Sequence, residues 1–453
     1  MTTPSDGEPQ NAAAFQASDP SIDEAEQCLD TFRSIYLPAF PCLYIPPTMD
    51  AMTLRAQKPF LWLCIMAVTL PFPARQLALS ERARAYISQR LVIAQERNMD
   101  LLQGLIVFIG CLRSSPSQVW ESGKSRLVLL QGRQKFIRET PDASQSDHGR
   151  APSHILRLHP ELNCETLRWT SLMDESARVL DENPEWLGDR VLVLQAKLQL
   201  VMEQCTQADR LAQEDGVRVS AMGARYHEAL AARIGEIERS ISLELRQLNS
   251  VVGPLSTAKL LVADACVSST PLTSPNLVNL DRLANLEQCL QSIKTFFDSL
   301  LTVPMSQYPG FSFQDFIHMV QMQVSLFGLS MLREPGWDLL AVRRSVNLLD
   351  YTDRIISKIA EVPRTRGIIV DEENLDIFTR TTRILGNMRA SWAAEMNKSD
   401  APVVQSAPVP EAAETFPDPV AAEAPDFTNI LLSDDTTWLN DLLMPWDEGT
   451  FGL

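Results

Sequence analysis

No two cysteines of this chain stand close together. The eight are Cys28, Cys42, Cys64, Cys111, Cys164, Cys205, Cys266 and Cys289, and the nearest pair, Cys28 and Cys42, is fourteen positions apart. Zinc fingers and zinc clusters are built from C-x2-C pairs, so none can be written here. Free buried thiols in a reducing compartment are the expectation. The histidines, His148, His154, His159, His227 and His318, form no H-x3-H or HExxH pair, and no helical zinc site follows from them. GxSxG, GxGxxG and Gly-rich phosphate loops are absent too. The sequence therefore offers no catalytic residues, no cofactor site and no metal site, and the chain is expected not to be an enzyme.

Basic residues are missing from both ends. Residues 1–32 hold seven acids and residues 400–453 hold eleven, with no Lys or Arg in either stretch. The remaining 39 acids face all 40 Lys and Arg, so a near-neutral body carries two acidic ends within a net charge of −17. Phosphate backbones are bound by clustered Lys and Arg that release counterions. DNA is accordingly expected to be contacted only indirectly. The short basic patches Arg343–Arg344 and Arg364–Gly367 read as solvated faces. The apolar run Phe60 to Phe72 is interrupted by Pro71 and falls short of the ~20 residues that span a bilayer. The opening "MTTPSDGEPQ" has no positive n-region and no apolar h-region, so it does not read as a signal peptide. A soluble intracellular protein without membrane contact is expected.

Strand signals are close to absent, with no Asn-Gly hairpin and no sustained alternation of apolar and polar residues. Helical spacing takes their place. Ile22, Ala25, Cys28, Leu29, Phe32 and Ile35 predict a helix over 22–36, and Pro38, Pro41, Pro46 and Pro47 an extended segment after it. One apolar helix is predicted over 50–70, then one from an N-cap at Ser80 to about 95, then one through "MDLLQGLIVFIGCL". A helix fits 121–138, followed by a polar loop at 139–154. Further helices fit 163–183, 189–211, 256–267, 279–301, 312–332, 337–361 and 373–396. Within 221–251, Leu230, Ile234, Ile237, Ile241, Leu245 and Leu248 recur at steps of four and three. That stripe serves either a coiled-coil dimer seam or the core of its own domain. The Ala-rich positions 229–232 favour the core. The fold class is all-α, an irregular multi-helix bundle with disordered N- and C-terminal segments.

Three stretches carry a resemblance. The first holds "FRSIYLPAFPCLYIPP" (Phe32 to Pro47), "RAQKPFLWLCIMAV" (Arg55 to Val68) and "ERNMDLLQGLIVFI" (Glu96 to Ile109). The second is "TLRWTSLMDESARVLDENPEWLGDRVLVLQAKLQLVMEQC" (Thr166 to Cys205). The third is "FQDFIHMVQMQVSLFGLSMLREPGWDLLAVRRSVNLLDYTDRI" (Phe313 to Ile355), in which Pro335, Gly336, Trp337 and Asp338 match a frequent helix-joining turn. In order and wording they resemble the regulatory middle domain of fungal binuclear zinc-cluster transcription factors. In that family a six-cysteine DNA-binding module precedes the domain, whereas here Cys28 alone precedes Phe32. Between about 131 and 165 this chain also has a polar loop where the family has a helix pair. The resemblance implies a nuclear transcription regulator, of the kind that often controls a metabolic gene cluster. Its reach suggests a disordered acidic N-terminus over 1–20, a helical regulatory domain over 21–398, and a separate tail over 399–453.

The tail changes in character. After Ala, Pro, Val and Glu it ends "FTNILLSDDTTWLNDLLMPWDEGTFGL". Phe427, Trp438, Leu439, Leu442, Leu443, Trp446 and Phe451 are interleaved with Asp434, Asp435, Asp441, Asp447 and Glu448. Acid and hydrophobic residues alternating in a disordered segment are the compositional mark of an activation domain. Repelling acids keep such a chain open, and a short helix over 437–444 could then fold into a coactivator groove. The bland alternative is a segment that docks on its own domain. Expected partners are transcription coactivators or a full-length zinc-cluster factor, in a homo- or heterodimer. Two other readings compete. One is a dominant-negative or scaffold partner of full-length relatives that pairs through 221–251. The other is an enzyme of the all-α terpene-cyclase type, for which Asp434–Asp435 and Asp371–Asn374 are the acidic candidates. A second metal motif for that chemistry is missing.

Overall fold

Ser21 begins the first helix with a reciprocal cap. Its Oγ accepts the Glu24 N–H at 3.2 Å, and the Glu24 carboxylate accepts the Ser21 N–H at 2.8 Å. The structure is a computed structural model, and it describes residues 19–111, 169–214, 221–269, 278–365 and 377–400. Among them every regular element is helical and none is a strand. Helix α1 (Ile22–Thr31) runs into a π-helical turn (Phe32–Tyr36) and a 3-10 turn (Leu37–Ala39). Phe32 stacks on Tyr36 and Phe40 at 5.8 and 6.5 Å between ring centroids.

The helix expected over 50–70 is two. Helix α2 (Ala51–Gln57) ends at Lys58, and α3 (Pro59–Thr69) starts at Pro59, which lacks the N–H needed to continue α2. Asp100 secures the break, its carboxylate accepting the Phe60 and Leu61 N–H groups at 3.0 and 2.8 Å. Every residue from Phe60 to Thr69 is buried. Ser80 is not an N-cap. Helix α4 (Pro73–Tyr86) begins earlier, with Pro73 at its first position, and Ser80 is fully buried inside it. A π-helical turn (Ile87–Ile93) leads towards α5 (Met99–Gly110), which Asn98 caps. A side chain at Gly104 would meet the Phe60 ring at 2.3 Å, so this glycine lets α5 lie directly on α3.

Helix α6 (Ser171–Glu182) packs on α7 (Leu187–Glu214), and α8 (Ala221–Ser240) packs on α7 and α9 (Asn249–Ser269). The helix predicted over 221–251 therefore breaks at Ser240. A 3-10 turn (Leu245–Gln247) carries the chain into α9. Leu230, Ile234, Ile237, Ile241 and Leu245 nonetheless all face one apolar cluster with Val191, Leu198, Val201, Ala258 and Val262. The stripe is thus covered within the chain, and the dimer seam it could have formed is not available.

Helix α10 (Leu280–Thr302) and a 3-10 turn (Met305–Gly310) precede α11 (Phe313–Met331), which has its own capping box at Ser312. The helix expected over 337–361 is again two, α12 (Leu339–Ser345) and α13 (Leu348–Thr365), and α14 (Ile377–Asp400) closes the described residues. Three apolar clusters result. One joins α1 to α5, one joins α7, α8 and α9, and one joins α9 to α14. Two helices serve two clusters each. Leu192 and Val193 of α7 belong to the first and Leu194 and Leu198 to the second. Helix α9 gives Val262 and Ala258 to the second and Leu260, Ala263 and Val267 to the third. By length and composition alone α9 could cross a membrane, and here it is packed against neighbours on two sides.

Candidate functional site

The tail residues singled out by sequence, Phe427, Trp438, Leu439, Leu442, Leu443, Trp446 and Phe451, lie outside the described residues. So do the terpene-cyclase candidates Asp371–Asn374 and Asp434–Asp435, the helix expected at 121–138 and the loop at 139–154. The described residues take in the three stretches that carry the resemblance from Phe32, Trp169 and Phe313 onward, and in each an acidic side chain accepts hydrogen bonds from backbone N–H groups.

In the first stretch the acidic entry segment is held by arginines of α2 and α4. Asp19 accepts from Arg55 at 2.6 Å and from Arg82, and Glu24 accepts from Arg75 at 2.9 and 3.1 Å. The Arg75 hydrogen bond pulls the Glu24 carboxyl down to about 2. Arg55 also lies over the Trp62 ring at 4.4 Å. Burial pushes the Asp100 carboxyl up, and its two backbone N–H donors oppose that shift. Behind it Lys58 Nζ donates to Gln103 Oε1 at 2.9 Å.

In the second stretch Trp169 Nε1 donates to Asp174 at 2.6 Å and Thr170 caps α6. Asp189 is fully buried and accepts the Glu185 and Trp186 N–H groups at 2.9 and 3.3 Å, shaping the α6–α7 turn.

The third stretch turns at Pro335–Gly336–Trp337–Asp338. Gly336 has φ +87°, a left-handed conformation, and a Cβ there would lie 2.9 Å from Leu283 and 3.1 Å from Val278. Trp337 Nε1 donates to the Leu329 carbonyl at 3.1 Å, and Asp338 caps α12 by accepting the Ala341 N–H at 3.0 Å. Beneath the turn Arg282 donates to Glu334 at 2.5 Å and to the Val267 carbonyl, both side chains being 7% exposed. On its outer side Val278, Leu280 and Leu340 are exposed, with Arg333 and Arg344 at the surface. Sequence reasoning named the turn but missed this apolar surface. Leu340 falls off the Leu339–Val342–Val346 spacing, whereas Leu280 continues the α10 stripe three residues before Leu283, so no local pattern marked it.

His227 and His318 are both buried, and His318 Nε2 lies 3.4 Å from Gln314 Nε2 within α11. The seven described cysteines are buried and form no disulfide, and burial pushes the Cys64 and Cys289 thiols well up. Among the described residues no group of three or more His, Cys, Asp or Glu side chains could hold a metal ion.

Known proteins resemble this chain in sequence. A family model described as a C-terminal domain matches residues 305–450. The protein named Transcription factor opdL from Penicillium oxalicum is 27% identical over 406 residues, which cover 82% of this chain and 71% of that protein. A protein named Transcription factor from Aspergillus terreus is 25% identical over 446 residues, covering 94% of this chain and 71% of its own length. The chain is a relative of fungal transcription factors. No solved structure matches it. The kinship with these transcription factors extends over the three stretches described above. The family match starts at the 3-10 turn Met305–Gly310, takes in the Gly336 turn, and continues into the acidic tail.

Proposed function

We propose that this relative of fungal transcription factors acts in the nucleus on a metabolic gene cluster. In this reading the helical body is a regulatory domain of the zinc-cluster type, and residues 427–453 are an activation segment that recruits coactivators. Contact with DNA is made by a module outside these 453 residues, such as a full-length zinc-cluster partner, because no C-x2-C pair occurs within them. The observation that carries the proposal is the similarity to two proteins named as transcription factors along 82% and 94% of the chain. The family match supports it by running into the acidic, aromatic tail.

The tail tests the reading. With five acids, no base and two Trp and two Phe, residues 427–453 resist self-collapse yet offer rings to a partner's groove. Fused to an unrelated DNA-binding domain, 427–453 should activate a reporter. Trp438→Ala with Leu442→Ala should abolish the signal, whereas Asp434→Asn should only weaken it, since the acids chiefly speed encounter. A fusion that is expressed, nuclear and silent would defeat the activation reading.

A further inference from the structure

The aliphatic side chains left exposed in the C-terminal half gather at one place. Among the described residues from 249 onward, Val278, Leu280 and Leu340 are the exposed large apolar ones, at 47%, 75% and 65%. Val278 borders the Gly336 turn in space, and Leu280 and Leu340 stand within four residues of Val278 and of Gly336 along the chain. Val278 lies against Gly336, Leu280 opens α10 two residues later, and Leu340 is the second residue of α12. Arg333 and Arg344 are exposed at the same turn. Elsewhere the described residues of this half pack their large apolar side chains into two clusters, so three left out beside a single turn call for a cover.

The chain supplies a matching occupant. Residues 427–453 hold four aromatic rings and five acids with no base, the complement of an aliphatic patch with an arginine rim. The family match, over residues 305–450, takes in Arg333, Leu340 and Arg344 as well as nearly all of that stretch, so this side of the turn and the tail fall within one match. Tethering helps as well. The stretch 401–426 can reach at most roughly 90 Å when fully extended, whereas α14 is only about 36 Å long. A tethered segment sees its site at an effective concentration near the millimolar range, so modest contacts suffice.

We infer that the surface formed by Val278, Leu280 and Leu340, rimmed by Arg333 and Arg344, is the docking site of the chain's own residues 427–453. Docking covers the rings that a coactivator would take, so the patch and the coactivator compete for one segment. This consequence rests on the activation reading proposed above, while the docking itself does not.

Hydrogen exchange on the full chain tests it. Amides of 427–453 should exchange at least about tenfold slower than in a synthetic peptide of the same sequence. Leu280→Asp with Leu340→Asp should return them to the peptide's rate, with the circular dichroism of the body unchanged. If that variant loses helix, Arg333→Glu with Arg344→Glu carries the test and should give the same loss of protection. Peptide-like exchange in the unmodified chain would overturn the inference, as would protection that survives both variants. Protection that vanishes on dilution would overturn it in favour of a second copy as the occupant. With the full chain fused to an unrelated DNA-binding domain, the double aspartate variant should raise reporter output several-fold. A silent 427–453 fusion beside intact exchange protection would sink the activation reading and leave the docking standing.

Discussion

Arg282 and Glu334 illustrate what single residues do in this protein. Both are almost wholly buried, and their pairing joins the start of α10 to the turn after α11, with the Val267 carbonyl of α9 as a third partner. A buried pair of this kind gains little over an apolar replacement, but breaking it strands a charge at a cost of about 3–5 kcal/mol. Glu334→Ala should therefore lower the urea midpoint strongly. Arg282→Met combined with Glu334→Leu should recover more than half of that loss. Equal destabilisation by the single and double variants would show that the site depends on the ions themselves. Neither residue stood out in the sequence, because a pair 52 positions apart leaves no local pattern. Asp100 is similar. As an acid in a first turn it suits its own helix, but its larger task is to cap α3, forty residues upstream.

At the scale of elements, periodicity located the helices and misjudged where they stop. The stripe from Leu230 to Leu248 looks continuous because its members share one cluster. The backbone nonetheless leaves the helix at Ser240. Ser240 Oγ donates to the Ile237 carbonyl at 2.6 Å, and Arg246 donates to the Glu238 and Ile241 carbonyls at 2.9 and 3.1 Å. These donors satisfy the free carbonyls at the end of α8 and allow the chain to turn. Ile237 is 8% exposed in that cluster, so Ile237→Asp would bury an unpaired charge. The expected outcome is a large drop in melting temperature with no change in sedimentation of the surviving folded fraction. An unchanged melting temperature with a lower sedimentation coefficient would instead restore the dimer seam. The same lesson holds at 50–70, where an apolar run hides a break that Pro59 permits and Asp100 secures.

The molecule as a whole is joined at a glycine. A Cβ on Gly310 would lie 1.9 Å from the Ile35 carbonyl oxygen, so the 3-10 turn after α10 meets the π-helical turn after α1 backbone to backbone. Tyr308 fixes that turn by donating to the Leu300 carbonyl at 3.1 Å, and Lys358 of α13 donates to the Val303 carbonyl at 3.2 Å. Gly310→Ala must push the N-terminal and C-terminal clusters apart, at a cost of at least ~1–3 kcal/mol by the measure of overpacked cores. Calorimetry should show a lower or split transition. A single transition at the original temperature would mean that the two turns can separate freely.

The sequence by itself determined the helical class, the positions of most helices, the burial of the cysteines and the kinship with fungal transcription factors. Those properties are written in local spacing and in ordered runs of residues. Only the tertiary structure decided that α9 serves two cores, that the 221–251 stripe faces inward, and that Gly310 touches Ile35. It alone brought Val278, Leu280 and Leu340 to one turn. Each of these depends on contacts between distant segments, and the energy of such contacts comes from surfaces that no local period describes.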